Sequence, residues 1–197
     1  MNLVPEHVRV VMARLEALDA ADRTDGTPFE RRLRAISSDV GQLLLAMALA
    51  VKARTIVEVG TSSGYSTLWL AIAATRTGGR VVTFEVDPAK VELARRTFAD
   101  AGVTTTVELR VEDGRAGLEG LAEGSADLVF LDAEKDLYEG MLEPAIRALR
   151  TNGLLVADNL ISHEAALAGF RDRALADPRL SGLVVPIGRG ELLAVRL

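Results

Sequence analysis

The sequence predicts an α/β fold: a seven-stranded sheet with helices on both faces and a last strand that runs antiparallel. Three observations carry this expectation. Short apolar runs alternate with segments of helical period along most of the chain. Several runs are apolar at consecutive positions, as in Leu128-Val-Phe-Leu131 and Leu154-Leu-Val-Ala157, which is how strands read when helices cover both faces of a sheet. The last two runs are joined only by Gly188-Arg189-Gly190, and so short a connection makes a hairpin rather than a crossover.

The first third reads as helical. From Pro5 to Ala21, Val8, Val11, Met12, Leu15 and Leu18 recur at helical spacing, and the pattern breaks at Asp25-Gly-Thr-Pro28. A second helix, Gly41 to Val51, is apolar nearly all round and is expected to pack on two sides. Strands are expected at Thr55–Val59, Arg80–Val86, Thr106–Val111, Ala126–Leu131, Gly153–Ala157, Leu183–Ile187 and Glu191–Arg196. Helices fall near 64–76, 88–101, 135–149 and 164–176. No repeat or low-complexity linker intervenes. The chain therefore reads as a single domain, with a helical part over 1–52 and an α/β core over 53–197.

The 197 residues and a hydrophobic fraction of 49% suit a globular domain that needs no covalent staple. Cysteine is absent, which excludes disulfides, thiolate metal sites and a cysteine nucleophile. A net charge of −5 speaks against broad binding to nucleic acid or anionic membranes. No apolar run approaches the roughly 18 residues of a membrane span, and the N-terminus has no signal-peptide layout. The expectation is a cytoplasmic protein.

The strand Thr55–Val59 runs into Gly60-Thr-Ser-Ser-Gly64, after which a helix begins. Ligands of open α/β sheets sit beyond the carboxyl ends of strands, and Gly60 lets the backbone approach one closely. Ser62 or Ser63 could cap the helix, and Ser66 can point into the same cleft. The turn lacks the middle glycine of a dinucleotide fingerprint. A carboxylate at Glu58 would repel a phosphate but attract an ammonium. The second strand ends in Glu85, placed to accept from both ribose hydroxyls, whereas Asp87 before Pro88 reads as a helix N-cap. Asp113, after the third strand, either accepts from an adenine amino group or is another turn acid. Together these strand ends describe an adenosine with a positively charged amino-acid tail.

The fourth strand ends at Asp132 and the fifth at Asp158-Asn159. Three oxygen donors without nitrogen or sulfur favour magnesium or another hard divalent cation; the alternative is a pair of acids capping the next turns. Lys135 follows Asp132 by three residues, in a chain with 20 Arg and only three Lys. Lysine can release its proton where arginine cannot, so Lys135 is either a general base on a hydroxyl or a surface lysine. Tyr138 lies one turn further on and can pack over the site. His163 either faces substrate or opens the next helix.

At these residues the chain resembles the metal-dependent O-methyltransferases that include catechol and caffeoyl-CoA O-methyltransferases. The likeness runs over roughly residues 37–197. It rests on Gly41-Gln42, Val57-Glu-Val-Gly60, Gly64-Tyr-Ser66, Phe84-Glu85, Phe130-Leu-Asp132-Ala-Glu-Lys135 with Tyr138, Asn152-Gly153 and Ala157-Asp158-Asn159. The resemblance implies a Rossmann-like, seven-stranded class I methyltransferase sheet. It implies S-adenosylmethionine bound by Glu58, Gly60, Ser66, Glu85, Asp113 and Asp132. It implies a divalent cation, Mg2+ or another, on Asp132, Asp158 and Asn159, proton removal by Lys135, and a homodimer. The acceptor would be a small hydroxylated molecule, catechol-like or phenolic. The loop after Asn159 is shorter than in many members, and no aromatic clamp marks a particular acceptor. Competing readings are a tRNA hydroxyuridine O-methyltransferase of the same family, an NAD-linked dehydrogenase, disfavoured by the missing glycine and the terminal hairpin, and a non-catalytic adenosine-binding protein.

Overall fold

A computed structural model describes residues 3–197. One sheet of seven strands runs in the order β3-β2-β1-β4-β5-β7-β6. The strands are β1 (Thr55–Val59), β2 (Arg80–Glu85), β3 (Val107–Val111), β4 (Ala126–Leu131), β5 (Leu149–Ala157), β6 (Leu180–Val185) and β7 (Glu191–Arg196). The first five pair in parallel. The terminal hairpin turns as expected, and β7 inserts between β5 and β6, antiparallel to both. The chain order reverses between β1 and β4, which opens a crevice at their carboxyl ends.

Consecutive strand residues feed opposite faces, and both faces are apolar. Ile56, Val81, Leu128, Phe130, Leu154 and Val156 face one core with α1 (Glu6–Asp22), α2 (Ser38–Ala50), α3 (Tyr65–Thr77) and α4 (Pro88–Asp100). Val57, Val59, Val82, Phe84, Val129, Leu131 and Leu155 face the other with α5 (Gly114–Glu119), α6 (Tyr138–Ala148) and α7 (Glu164–Ala176). This two-sided burial is why the strand sequences read as unbroken apolar runs. α2 is buried on several sides because it packs closely on α3: a Cβ at Gly41 would lie 2.2 Å from Trp69 Nε1.

Several boundaries differ from the sequence expectation, each for a local reason. α2 starts at Ser38 rather than Gly41, with Ser37 as its N-cap accepting from Val40 N. β6 covers Leu180–Val185 instead of Leu183–Ile187, because Pro186 has no N–H for the ladder. β5 begins at Leu149 rather than Gly153; its pairing with β4 shifts register there and Asn152 takes a positive φ of 62°. α5 was not expected at all. It is six residues long and contains two glycines, so local propensity argues against it. Those glycines let it press on the sheet: a Cβ at Gly114 would lie 2.2 Å from Val59 Cγ1, and one at Gly117 2.3 Å from Phe84 Cε1. Leu18, expected on the buried stripe of α1, is 44% exposed. Among the described residues no helix is long and apolar enough to cross a membrane.

Candidate active site

The carboxyl ends of β1, β2, β3 and β4 open onto one cavity of about 590 Å³, a volume within the range of small-molecule sites. Gly60, Glu85, Asp113, Asp132, Lys135 and Asn159 all line it. Glu58 and Ser66 lie behind the glycine turn rather than on the cavity wall, and Asp158 lines a smaller pocket next to it.

The glycine turn owes its shape to crowding. Gly60 has φ +100°, and a Cβ there would lie 2.3 Å from the carbonyl oxygen of Asp132. Gly64 is also left-handed and precedes α3, with no side-chain cap, so neither Ser62 nor Ser63 caps that helix. Ser62 Oγ instead donates to Leu33 O at 2.9 Å, tying the turn to the N-terminal segment. Glu85 fixes the other side. Its Oε2 accepts from Ser62 N at 2.8 Å, and its Oε1 from Val86 N and Asp87 N, each at 2.9 Å. Asp87 caps α4 as expected. Asp113 caps α5 by accepting from Ala116 N at 2.9 Å, while also lining the cavity.

Glu58 is fully buried on the face covered by α3. Its Oε2 accepts from Thr67 Oγ1 at 2.5 Å and Thr83 Oγ1 at 2.7 Å, and Oε1 has no hydrogen-bond partner among the described residues. Burial pushes this carboxyl up to about 7, against the pull of the Ser66, Thr67 and Thr83 hydroxyls.

At the other end of the cavity, β4 and β5 bring their terminal acids together. Lys135 Nζ donates to Asp132 Oδ1 at 3.2 Å and to Ala133 O at 2.8 Å. Asn159 Nδ2 donates to the same Oδ1 at 3.1 Å. Asn159 has φ +77°, a left-handed conformation that asparagine tolerates better than most residues. Its backbone N donates to Asp158 Oδ1 at 2.5 Å. Tyr138, fully buried, places its hydroxyl 3.0 Å from Leu131 O and 3.2 Å from Asp158 O, bridging the two strand ends. Its ring meets Phe170 edge-on at 5.1 Å and underlies Lys135 Nζ, also at 5.1 Å. Burial raises the Asp132 carboxyl well above the ordinary range; Lys135 opposes the rise and the Asp158 charge adds to it. His163 precedes α7, as one of the two readings had it, and its side chain lines the cavity.

Among the described residues no three His, Cys, Asp or Glu side chains stand close enough together to hold a metal ion on their own. The expected set contains only two such groups, Asp132 and Asp158, with the Asn159 amide as a third donor. The local chemistry suits a hard cation. Two carboxylates converge in a partly dry site, and the charge of Asp158 disfavours that of Asp132. A third acid, Glu191, is fully buried at the start of β7, with neither oxygen hydrogen-bonded among the described residues. Burial first, then Asp158, pushes its carboxyl far above the usual range.

Sequence reasoning did not single out Glu191 or Arg34. Arg34, at φ +53°, forms an ion pair with Glu134 and stacks 5.1 Å over Phe29, so the segment after α1 supplies a wall of the cavity. Nothing in the local pattern marks either residue. Glu191 could have been found from the hairpin, because pairing Ala157 with Leu192 sets Glu191 beside Asp158.

Comparison with known proteins identifies the family. The O-methyltransferase family profile matches residues 23–197. A catechol O-methyltransferase of Mycobacterium tuberculosis is 41% identical over 138 residues, which are 70% of this chain and 62% of that protein. The chain thus spans less than two thirds of that relative's length. Among solved structures, cofactor-bound Rv0187 from MTB superposes with a TM-score of 0.82 at 32% identity, covering 95% of this chain and 89% of its own. The O-methyltransferase TomG from Streptomyces achromogenes, involved in tomaymycin synthesis and solved in complex with SAM, superposes at 0.76 with 29% identity over 92% of this chain and 88% of its own. The chain belongs to the S-adenosylmethionine-dependent O-methyltransferase family.

Proposed function

We propose that this O-methyltransferase methylates one hydroxyl of a small catechol-like acceptor with the help of a divalent cation, and that Lys135 takes the hydroxyl proton. The observation that carries the reading is the meeting of Lys135 Nζ and Asn159 Nδ2 on one oxygen of Asp132, on the wall of the cavity that Gly60 and Glu85 also line.

Gly60, Glu85 and Asp113 would hold the adenosine of S-adenosylmethionine. Glu58, behind the turn with one free carboxyl oxygen, would balance the positive tail. Asp132, Asp158 and Asn159 would hold the cation. When bound, the cation would lower the pKa of a coordinated hydroxyl and fix the orientation of a vicinal pair. In the transfer the acceptor oxygen would gain the methyl carbon as the sulfonium carbon–sulfur bond breaks, leaving S-adenosylhomocysteine, and Lys135 Nζ, once its ammonium has released a proton to solvent, would take the hydroxyl proton. Tyr138 holds Lys135 and the two strand ends in register, so much of the rate would come from alignment. The names of relatives acting on catechols support this acceptor class. The cytoplasmic setting and the homodimer remain part of the same proposal, the latter read out by light scattering.

The test is initial rates with S-adenosylmethionine and 3,4-dihydroxybenzyl alcohol, with Mg2+ or with chelator, for the wild type and Lys135→Met. The chelator should abolish most of the rate. Lys135→Met should lower kcat by roughly 10²–10⁴ while calorimetric affinity for S-adenosylmethionine holds. Full rate in chelator, or in Lys135→Met, overturns the mechanism.

A further inference from the structure

We propose that Arg189 selects acceptors that carry a carboxylate, so that the preferred substrate is a dihydroxy aromatic acid. The proposal rests on reading the cavity as the acceptor site.

Arg189 sits at the tip of the β6–β7 hairpin between two left-handed glycines, Gly188 at φ +57° and Gly190 at φ +94°. Both are wedged. A Cβ at Gly188 would lie 2.3 Å from Val40 Cγ2, and one at Gly190 2.4 Å from Ile161 Cγ1. The backbone is pinned as well. Arg189 O accepts from Ile161 N at 3.1 Å and Ser162 N at 2.9 Å, and Gly190 O accepts from Leu160 N at 2.8 Å. The tip is thus fastened to the loop that directly follows Asn159, and the Arg189 side chain is presented from a fixed base.

That side chain is half-buried and lines the main cavity together with Asp132 and Asn159; it also lines the smaller pocket beside Asp158. It makes no ion pair or hydrogen bond among the described residues. Other cations of the cavity wall are engaged: Arg23 pairs with Asp19, Arg34 with Glu134 and Lys135 with Asp132, and Arg32 donates to Thr27 O. Lys90 is also without such a bond, but it stands on α4 at the Glu85 end. The His163 imidazole is held below its usual range by burial first, then by Lys135 and Arg189. A guanidinium keeps its charge at all working pH values, and its planar fork matches a carboxylate bidentately. A partly desolvated guanidinium without a protein partner favours an anion that arrives with the substrate.

The experiment titrates protein saturated with S-adenosylhomocysteine in Mg2+ with 3,4-dihydroxybenzoate and with 3,4-dihydroxybenzyl alcohol, by calorimetry, for wild type, Arg189→Ala and Arg189→Glu. The wild type should bind the acid roughly ten- to hundredfold more tightly than the alcohol. The ratio should collapse to about one in Arg189→Ala and invert in Arg189→Glu. Equal binding by the wild type, an unchanged ratio in Arg189→Ala, or no binding of either compound overturns the proposal. So does a loss of S-adenosylhomocysteine affinity in Arg189→Ala with the ratio retained, which would assign the guanidinium to the carboxylate of the methyl donor. Turnover is scored separately. Binding with the expected ratio but no methyl transfer to either compound would sink the catechol reading and leave the role of Arg189 standing.

Discussion

Asn159 Nδ2 donates to Asp132 Oδ1 at 3.1 Å, joining the carboxyl ends of two neighbouring parallel strands through a residue in the left-handed region. The bond and the backbone conformation are separable by mutation. Asn159→Ala removes the amide and leaves a Cβ residue in a conformation that costs about 1–2 kcal/mol. Asn159→Gly removes the amide but relieves the backbone. Urea unfolding in chelator should therefore place Asn159→Gly near the wild type and Asn159→Ala below it. Both variants should lose Mg2+ stimulation of methyl transfer. If the glycine variant retains that stimulation, the amide plays no part in holding the cation.

Gly60 tests the crowding at the turn. An added methyl group would meet the Asp132 carbonyl and force an L residue to hold φ +100°. Gly60→Ala should lose at least about 2 kcal/mol of unfolding free energy. Activity should fall further than stability, because relieving the clash shifts either the glycine turn or the strand end that carries Asp132, and both line the cavity. A variant with wild-type denaturation and wild-type rate would refute the close approach.

The Tyr138 hydroxyl is the sole difference in Tyr138→Phe, since a phenyl ring preserves the edge contact with Phe170. Loss of the bridge to the carbonyls of Leu131 and Asp158 should cost about 1–2 kcal/mol. Chemical denaturation measures this. An unchanged midpoint would mean that the strand ends are held without the bridge.

The sheet was legible in the sequence because both of its faces are buried. Val57 and Phe130 point to opposite cores yet are equally apolar, so strands stand out as runs and their ends locate Gly60, Glu85, Asp132 and Asp158. What stayed hidden depends on long-range placement. α5 exists because glycines at 114 and 117 fit against Val59 and Phe84, a tertiary reward that overrides poor helix propensity. Glu191 reads as the polar first residue of a strand, and only the insertion of β7 beside β5 turns it into a buried neighbour of Asp158. Glu58 was legible as the acid just before the glycine turn, but its depth was not. The hydroxyls that surround it, Thr67 and Thr83, come from a helix and a strand whose packing no local pattern specifies.

That depth gives Glu58 a measurable signature. Burial raises its carboxyl from an ordinary value of 4.5 to about 7 in the folded protein, with Ser66, Thr67 and Thr83 opposing the rise and Glu85 adding to it. The folded state thus holds this proton more tightly than the unfolded chain does. The contribution to stability is complete below about pH 4.5, declines as the pH rises, and is lost above about pH 7. The gap corresponds to on the order of 3 kcal/mol. Glu58→Gln keeps an oxygen to accept from the two threonines and removes the titration. Its unfolding free energy relative to that of the wild type, measured without S-adenosylmethionine, should therefore rise from pH 4.5 to pH 7, the variant gaining stability over the wild type, and level off above. A difference that stays flat across that window would mean that Glu58 is charged in the folded protein throughout, with a counter-charge or water reaching the carboxyl oxygen that has no partner.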